Sequence, residues 1–271
     1  MICSAALEEA RALIPLREAR LLLCHVLGVS HAALEAHPET KVSPRDTASF
    51  RDLVARRAVG EPVAYLTGHR EFYGLDFRVT PAVLIPREET ELLVDIALES
   101  QGRRILDLGT GSGCLAIAVA KQLPQAEVTA VDASAAALDV ARENAARHGV
   151  SVRFLQGDWF APVAGERFNL ILANPPYVAE GDAHLSQGDV RFEPRNALAA
   201  GPDGLNDIRC IVAAAGAHLE PDGRLYFEHG YNQAQAVETQ LAQAGFIEIE
   251  HRHDLAGISR VAGGMWAQKR S

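Results

Sequence analysis

Along the first part of the chain, apolar positions recur with the period of an α-helix, and the breaks between them carry helix punctuation. Leu21, Leu22, Leu23, Val26 and Leu27 form one apolar stretch, with Pro15 upstream in a position suited to a first helical turn and Gly28 behind it. Ser30 starts a short piece that must end by Pro38. Ser43-Pro44 reads as an N-cap followed by a first-turn proline; Phe50, Leu53 and Val54 supply a helical stripe, and Gly60 closes it. Residues 1–70 are therefore expected to form a small helical bundle.

The period then shortens to two. Leu75, Phe77 and Val79 alternate with Asp76, Arg78 and Thr80, and Val83 and Ile85 resume the pattern after Pro81, which predicts a hairpin linker over 71–88. From residue 89 to 271 strands and helices take turns. Helices are expected to Ser100 and over 114–123, 134–148, 207–219 and 233–244, and strands over 104–108, 128–132, 152–156, 168–173, 224–228, 246–250 and 260–268. Such alternation builds an α/β fold, a mostly parallel sheet with helices on both faces, whose ligands sit at the carboxyl ends of the strands.

Composition narrows the class. A chain of 271 residues, 48% hydrophobic and 23% charged, is globular and long enough for a sizeable core. Acidic residues exceed basic ones, 35 to 26, for a net charge of −9, the wrong balance for a protein that wraps duplex nucleic acid. Cys3, Cys24, Cys114 and Cys210 lie far apart with no zinc-type spacing, so reduced thiols are expected. Glu8 and Glu9 interrupt the opening apolar stretch, which also lacks a basic start, and no apolar run approaches the roughly 20 residues of a membrane span. A cytoplasmic protein is expected.

The sharpest local chemistry is the run Asp107-Leu108-Gly109-Thr110-Gly111-Ser112-Gly113-Cys114, which leaves a strand and enters a helix. Gly109 and Gly111 allow a tight turn and close approach of a ligand. The third glycine comes one residue too early for a dinucleotide fingerprint, and Asp107 would repel a diphosphate while suiting a cationic ligand. S-adenosylmethionine carries both an ammonium and a sulfonium. Asp132, at the next strand end, can accept both ribose hydroxyls. Asp158 and Trp159, at the third, can take an adenine amino group and offer it an apolar face. Asn174-Pro175-Pro176-Tyr177 follows the apolar strand 170–173. Its prolines stiffen the loop and remove backbone donors. The Asn174 oxygen and the Pro175 carbonyl can then accept the two hydrogens of a planar amino group, on which Tyr177 can stack.

The pair of motifs, Asp107–Cys114 and Asn174–Tyr177, resembles the class I S-adenosylmethionine-dependent methyltransferases that modify planar nitrogens, a Rossmann-like fold with a seven-stranded sheet. Tyr65-Leu66-Thr67-Gly68, Glu71-Phe72-Tyr73-Gly74, Leu84-Ile85-Pro86-Arg87 with Thr90-Glu91, and Glu193-Pro194 with Ala197-Leu198 are similar to one branch, the release-factor glutamine methyltransferases of the HemK/PrmC type. The resemblance spans essentially the whole chain. It implies methylation of the glutamine side-chain nitrogen in the Gly-Gly-Gln loop of class I peptide chain release factors, supporting translation termination. By the same resemblance Gly109, Thr110, Gly111, Ser112 and Gly113 hold the donor, Asp132 its ribose and Trp159 its adenine, while Asn174, Pro175, Pro176 and Tyr177 hold the glutamine and the helical region recognises the partner. Glu88 stands where the family usually has proline, which bears on the stiffness of the hairpin exit.

Such a site needs no metal and no strong general base, since an amide nitrogen loses its proton readily once alkylated. His251 and His253 read as solvated surface rather than metal ligands. His229 could be a pocket wall or a loop residue, and Arg51, Arg56 and Arg57 could touch a partner or form an ordinary solvated face. The alternatives are an amino-methyltransferase acting on adenine or cytosine in nucleic acid, disfavoured by the net acidity and the lack of a long basic segment, so that no stable nucleic-acid binding is expected, and a non-catalytic S-adenosylmethionine-binding module, disfavoured by the intact Asn174–Tyr177 motif.

Overall fold

The computed structural model describes residues 1–100 and 102–267. Two compact units are present, Met1–His69 with Gln187–Phe192, and Arg70–Ser186 with Glu193–Ser271. In the first, α1 (Cys3–Arg11), α2 (Leu16–Leu27), α3 (His31–Ala36), α4 (Pro44–Ala58) and α5 (Val63–Thr67) close over a core that includes Leu22, Leu23, Phe50, Val54 and Leu66. Gly28 adopts a left-handed conformation and its N–H turns back to the Cys24 and His25 carbonyls, ending α2. The Ser43 oxygen accepts the Asp46 N–H at the start of α4. Pro15 is the residue before α2 rather than its first turn. α5, at five residues, is too short to announce itself as a period.

Three of the four arginines of α4, those singled out in the sequence, are already engaged. Arg51 makes two hydrogen bonds to Glu9, 2.7 and 2.8 Å, and Arg56 makes two to Glu61, 2.8 and 2.5 Å. Arg57 bridges Glu18 and Asp189, both at 2.6 Å, and so ties the Gln187–Phe192 segment to this helix. What reads in sequence as a basic face is largely neutralised.

β1 (His69–Phe72), which belongs to the second unit from Arg70 onward, and β2 (Leu75–Arg78) form a hairpin. Its turn residues Tyr73 and Gly74 both have positive φ, 51° and 72°, the geometry of a two-residue turn whose twist matches the strands. The partner of 75–78 thus precedes it. Val83 and Ile85, expected to continue the pattern, are buried but belong to no strand. Pro81 and Pro86 flank them, and the Ile85 N–H goes to the Glu193 carboxylate instead of a ladder.

The main elements are α6 (Glu91–Ser100), β3 (Arg104–Leu108), α7 (Cys114–Gln122), β4 (Glu127–Asp132), α8 (Ala135–His148), β5 (Arg153–Gln156), β6 (Phe168–Ala173), α9 (Asn206–Ala215), β7 (Leu219–Glu228), α10 (Ala234–Ala244), β8 (Phe246–His253) and β9 (Ser259–Trp266). They build a seven-stranded sheet of order β5-β4-β3-β6-β7-β9-β8. Neighbours from β5 to β7 are parallel, and β9 runs antiparallel to both β7 and β8. β7 starts five residues earlier than its apolar run suggests, through Pro221-Asp222-Gly223, which reads locally as a turn; the register against β6 shifts there. The expected strand end at Gln268 lies outside the described residues.

Alternation divides the sheet residues between two cores. Ile105, Leu170, Leu172, Tyr226 and Val261 pack with α6 and α7, and Leu106, Leu108, Ile171, Leu225 and Ala262 pack with α9 and α10. Successive crossovers go to opposite sides of β3, so the chain order reverses between β3 and β6. Register places Leu108 beside both Val131 and Ala173, and Ala173 beside Phe227. The residues that follow, Gly109, Asp132, Asn174 and Glu228, are therefore adjacent along one edge at this switch point.

Candidate active site

The glycine turn after β3 is held from both sides. The Gly109 and Thr110 N–H groups donate to the Val131 carbonyl at 2.9 and 3.0 Å, and the Gly111 N–H donates to the Asp132 carboxylate at 2.8 Å. Gly109, Gly111 and Gly113 all have positive φ, 75°, 55° and 80°. An added methyl at Gly113 would come within 2.9 Å of Ile117 and 3.0 Å of Ala141, so this glycine lets α7 pack on α8, whereas one at Gly111 would meet nothing within 4 Å. The space above Gly111 is open.

That space is a cavity of about 260 Å³ bounded by Gly109, Gly111, Asp132, Asp158, Trp159 and Asn174, all expected from sequence. Asp132 offers it a carboxylate whose oxygens already accept the Gly111 and Ser134 N–H groups, each retaining a free lone pair. Burial raises its pKa. Asp158 and Trp159 lie in the turn beyond β5, which ends at Gln156, and the indole stands close to where a Cβ on Gly109 would be, 3.5 Å. The indole also hydrogen-bonds Asp207, another wall residue.

Asp107, Thr110, Ser112 and Gly113 do not line the cavity. Asp107 is 2% exposed beneath it. Its carboxylate accepts the Thr110 hydroxyl at 2.6 Å and the Ala116 N–H in the first turn of α7, closing the loop on itself. Desolvation, with the nearby Asp132 charge adding to it, pushes its pKa up to about 7. Asp107 therefore offers the cavity no contact surface, only its nearby charge. Cys114 begins α7, and burial pushes its thiol up to about 12.

Asn174 and Pro176 line the cavity, Pro175 is buried, and Tyr177 is half-buried against the α9/α10 core. The Asn174 amide donates to the Thr90 hydroxyl at 2.9 Å. Thr90 and Tyr177 in turn donate to the two oxygens of Glu228, at 2.6 and 2.8 Å. The Tyr177 carbonyl accepts from Gln233, and Gly204 passes so close to it that a Cβ would sit 2.2 Å away.

Sequence reading missed the opposite wall, made of Ala82, Val83 and Leu84 with Pro194, Asn196 and Ala197. Glu193, its side chain fully buried, accepts both the Ile85 N–H and the Arg87 guanidinium, and so clamps the two stretches together. The signal was present in the Leu84–Arg87 and Glu193-Pro194 motifs, but nothing local pairs residues a hundred positions apart. Thr90 and Glu228 were missed for the same reason. His229 is buried off the cavity, hydrogen-bonded to the Gly230 carbonyl, with its pKa lowered by burial. His251 is half-buried and 3.2 Å from the Ser259 hydroxyl. Among the described residues no cluster of three or more metal-ligating side chains occurs, and no helix is long and apolar enough to cross a membrane.

Comparison with known proteins supplies names for this arrangement. Residues 88–192 match the family model of the methyltransferase small domain, and residues 2–68 match that of the PrmC N-terminal domain. A release factor glutamine methyltransferase of Bordetella pertussis is 54% identical over 93% of this chain and 95% of its own length. One of Burkholderia pseudomallei is 51% identical over 91% of this chain and 90% of its own. Among solved structures, a methyltransferase of Pyrococcus furiosus superposes with a TM-score of 0.54 at 20% identity, covering 80% of this chain and 98% of that one. The T. thermophilus 16S rRNA N2 G1207 methyltransferase gives 0.53 at 22% identity, covering 73% and 50%. At such identities these structures speak for the fold.

Proposed function

This chain belongs to the release factor glutamine methyltransferase family, and from that premise we propose that it transfers a methyl group from S-adenosylmethionine to the side-chain nitrogen of the glutamine in the Gly-Gly-Gln loop of peptide chain release factors. The observation that carries the reading is the placement of Asn174 on the wall of the cavity that opens above Gly111 and beside Asp132.

The residues fit a nucleoside donor. The open space at Gly111 is one a Cβ would fill, Asp132 keeps lone pairs for two hydroxyls, and the Trp159 indole offers a flat apolar face. When bound, the donor supplies an electrophilic methyl on a sulfonium. Asn174 Oδ1 and the Pro175 carbonyl accept the two N–H groups of the glutamine amide, holding the nitrogen and meeting its developing positive charge with dipoles. As the nitrogen bonds the methyl carbon, the carbon–sulfur bond breaks, and the nitrogen then sheds one proton. Because the cationic amide is strongly acidic, no strong base is needed. Orientation of the reacting pair is worth up to about 7–11 kcal/mol in such a site.

The test is incubation of purified protein with a release factor and methyl-labelled donor, followed by mapping of the label. Label on the loop glutamine is expected; label elsewhere, or in DNA or ribosomal RNA supplied alongside, contradicts the reading. Asn174→Ala should lower turnover by about 100-fold or more with donor affinity retained, whereas Asp132→Ala should chiefly weaken donor binding. Equal behaviour of the two in a donor titration would contradict the roles given to them.

A further inference from the structure

The carboxylate of Glu228 has no place in the chemistry above, yet it is 1% exposed at the end of β7, the strand next to the one that leads into Asn174. Its partners are two hydroxyls, Thr90 at 2.6 Å and Tyr177 at 2.8 Å. Burying a carboxylate costs free energy that an apolar side chain at the same place would not. The arrangement at Thr90 shows what it does. A threonine hydroxyl has one proton, and here that proton goes to Glu228, leaving only lone pairs toward Asn174. The Asn174 carboxamide must therefore present its NH₂ to Thr90. Turned over, it would set its oxygen against the Thr90 oxygen with no proton between them. With the NH₂ committed at 2.9 Å, Asn174 Oδ1 is the group left for the cavity that Asn174 lines. Tyr177, bonded to the other Glu228 oxygen, keeps the carboxylate from rotating out of this pattern.

We propose that Glu228 and Thr90 are positioning residues that fix the orientation of the Asn174 carboxamide, so that the site presents an acceptor, and not a donor, to the incoming substrate. This rests on the proposed methyl transfer and sharpens its substrate class: the site takes a planar group that brings N–H donors, such as a primary amide, and rejects one that brings only a carbonyl or carboxylate at that point. Thr90 and Glu228 touch neither substrate nor donor and act through Asn174.

The test uses the full chain, a purified release factor and labelled donor, with kcat and KM measured for both substrates and product affinity measured by calorimetry. The parent enzyme is assayed first. A parent that leaves the loop glutamine unmethylated overturns the functional reading itself, and the relay with it. Given an active parent, Thr90→Val keeps the shape and removes the hydroxyl; kcat should fall by about 100-fold with donor affinity close to that of the parent, while the melting temperature drops because Glu228 and the Asn174 amide each lose a buried partner. Thr90→Ser restores the hydroxyl and should recover most of that loss. Glu228→Gln, which can hand a proton to Thr90 and so reverse the chain, should lower kcat like Thr90→Val. Should Glu228→Gln not fold, the threonine pair still decides. Turnover by Thr90→Val near that of the parent, or a serine variant as impaired as the valine one, overturns the proposal, because then the hydroxyl does not set the amide.

Discussion

Gly111 and Gly113 stand two residues apart in one turn with φ of 55° and 80°, yet a methyl group added to each meets different surroundings. At Gly113 it would press on Ile117 and on both the Cβ and Cα of Ala141, atoms of two packed helices that cannot both give way. Gly113→Ala should lose about 2–4 kcal/mol of stability, from overpacking added to left-handed backbone strain, read as a shift in urea midpoint. Gly111→Ala meets open space, so it should cost only the backbone strain, about 1–2 kcal/mol, while weakening donor binding because the methyl enters the cavity. The reverse ranking would mean that the cavity lies elsewhere. Asp107 supports a second expectation. With its pKa pushed up to about 7, much of it is protonated in the free protein at pH 6. A cationic donor above it favours the charged form, so binding releases a proton. Donor affinity should rise with pH below about 7, by at most about tenfold per unit, and level off above. Calorimetry in buffers of different ionisation enthalpy would detect the released proton, and Asp107→Asn should flatten the profile. A profile unchanged by that substitution would remove Asp107 from donor recognition.

Among the elements, β9 is the one on which the sheet depends at its antiparallel end, because it is inserted between β7 and β8. Val261 faces one core and Ala262 the other, but Gly263 has no room for a side chain. A Cβ there would stand 2.1 Å from the Tyr226 ring and 2.3 Å from the Leu225 carbonyl. Gly263→Ala should therefore destabilise by more than about 3 kcal/mol. Gly257→Ala, in the turn between β8 and β9 with φ of 76° and nothing within 4 Å, should cost only about 1 kcal/mol. Urea unfolding of the pair separates the two effects, and similar losses would show that the surroundings of Gly263 give way at little cost. The same elements show what local sequence can convey. The spans of β3, β6 and α8 were legible because a short apolar run, a serine cap and a terminal glycine are all short-range signals. The start of β7 was not, since Pro221-Asp222-Gly223 has turn chemistry and only pairing with β6 extends the strand through it. Likewise Val83 and Ile85 have the apolar pattern of a strand, but the Ile85 N–H is taken by Glu193, far along the chain.

On the scale of the whole molecule, the same distinction runs through the site. The strand-end residues Gly109, Asp132, Asp158 and Asn174 could be found from sequence because each ends or follows an apolar strand, and parallel strands in register bring such ends together. The wall formed by Leu84 and Pro194, and the chain from Asn174 through Thr90 to Glu228, depend on contacts between distant segments, and although some of these residues stand in recognisable motifs, nothing local shows which segment meets which. Every residue lining the cavity belongs to the second unit, whose cores are separate from that of the helical unit. Ligand binding stabilises what it touches, and product at about 100 times its dissociation constant adds about 2.7 kcal/mol to unfolding of the bound unit. Native-state hydrogen exchange with S-adenosylhomocysteine should therefore show the largest gains in protection at 109–111, 131–134 and 157–159, with smaller gains along β3 and β4 and little change in α2, whose Leu22 and Leu23 pack in the other core. Gains confined to α1–α5, or absent from the glycine turn, would place the ligand outside the cavity above Gly111.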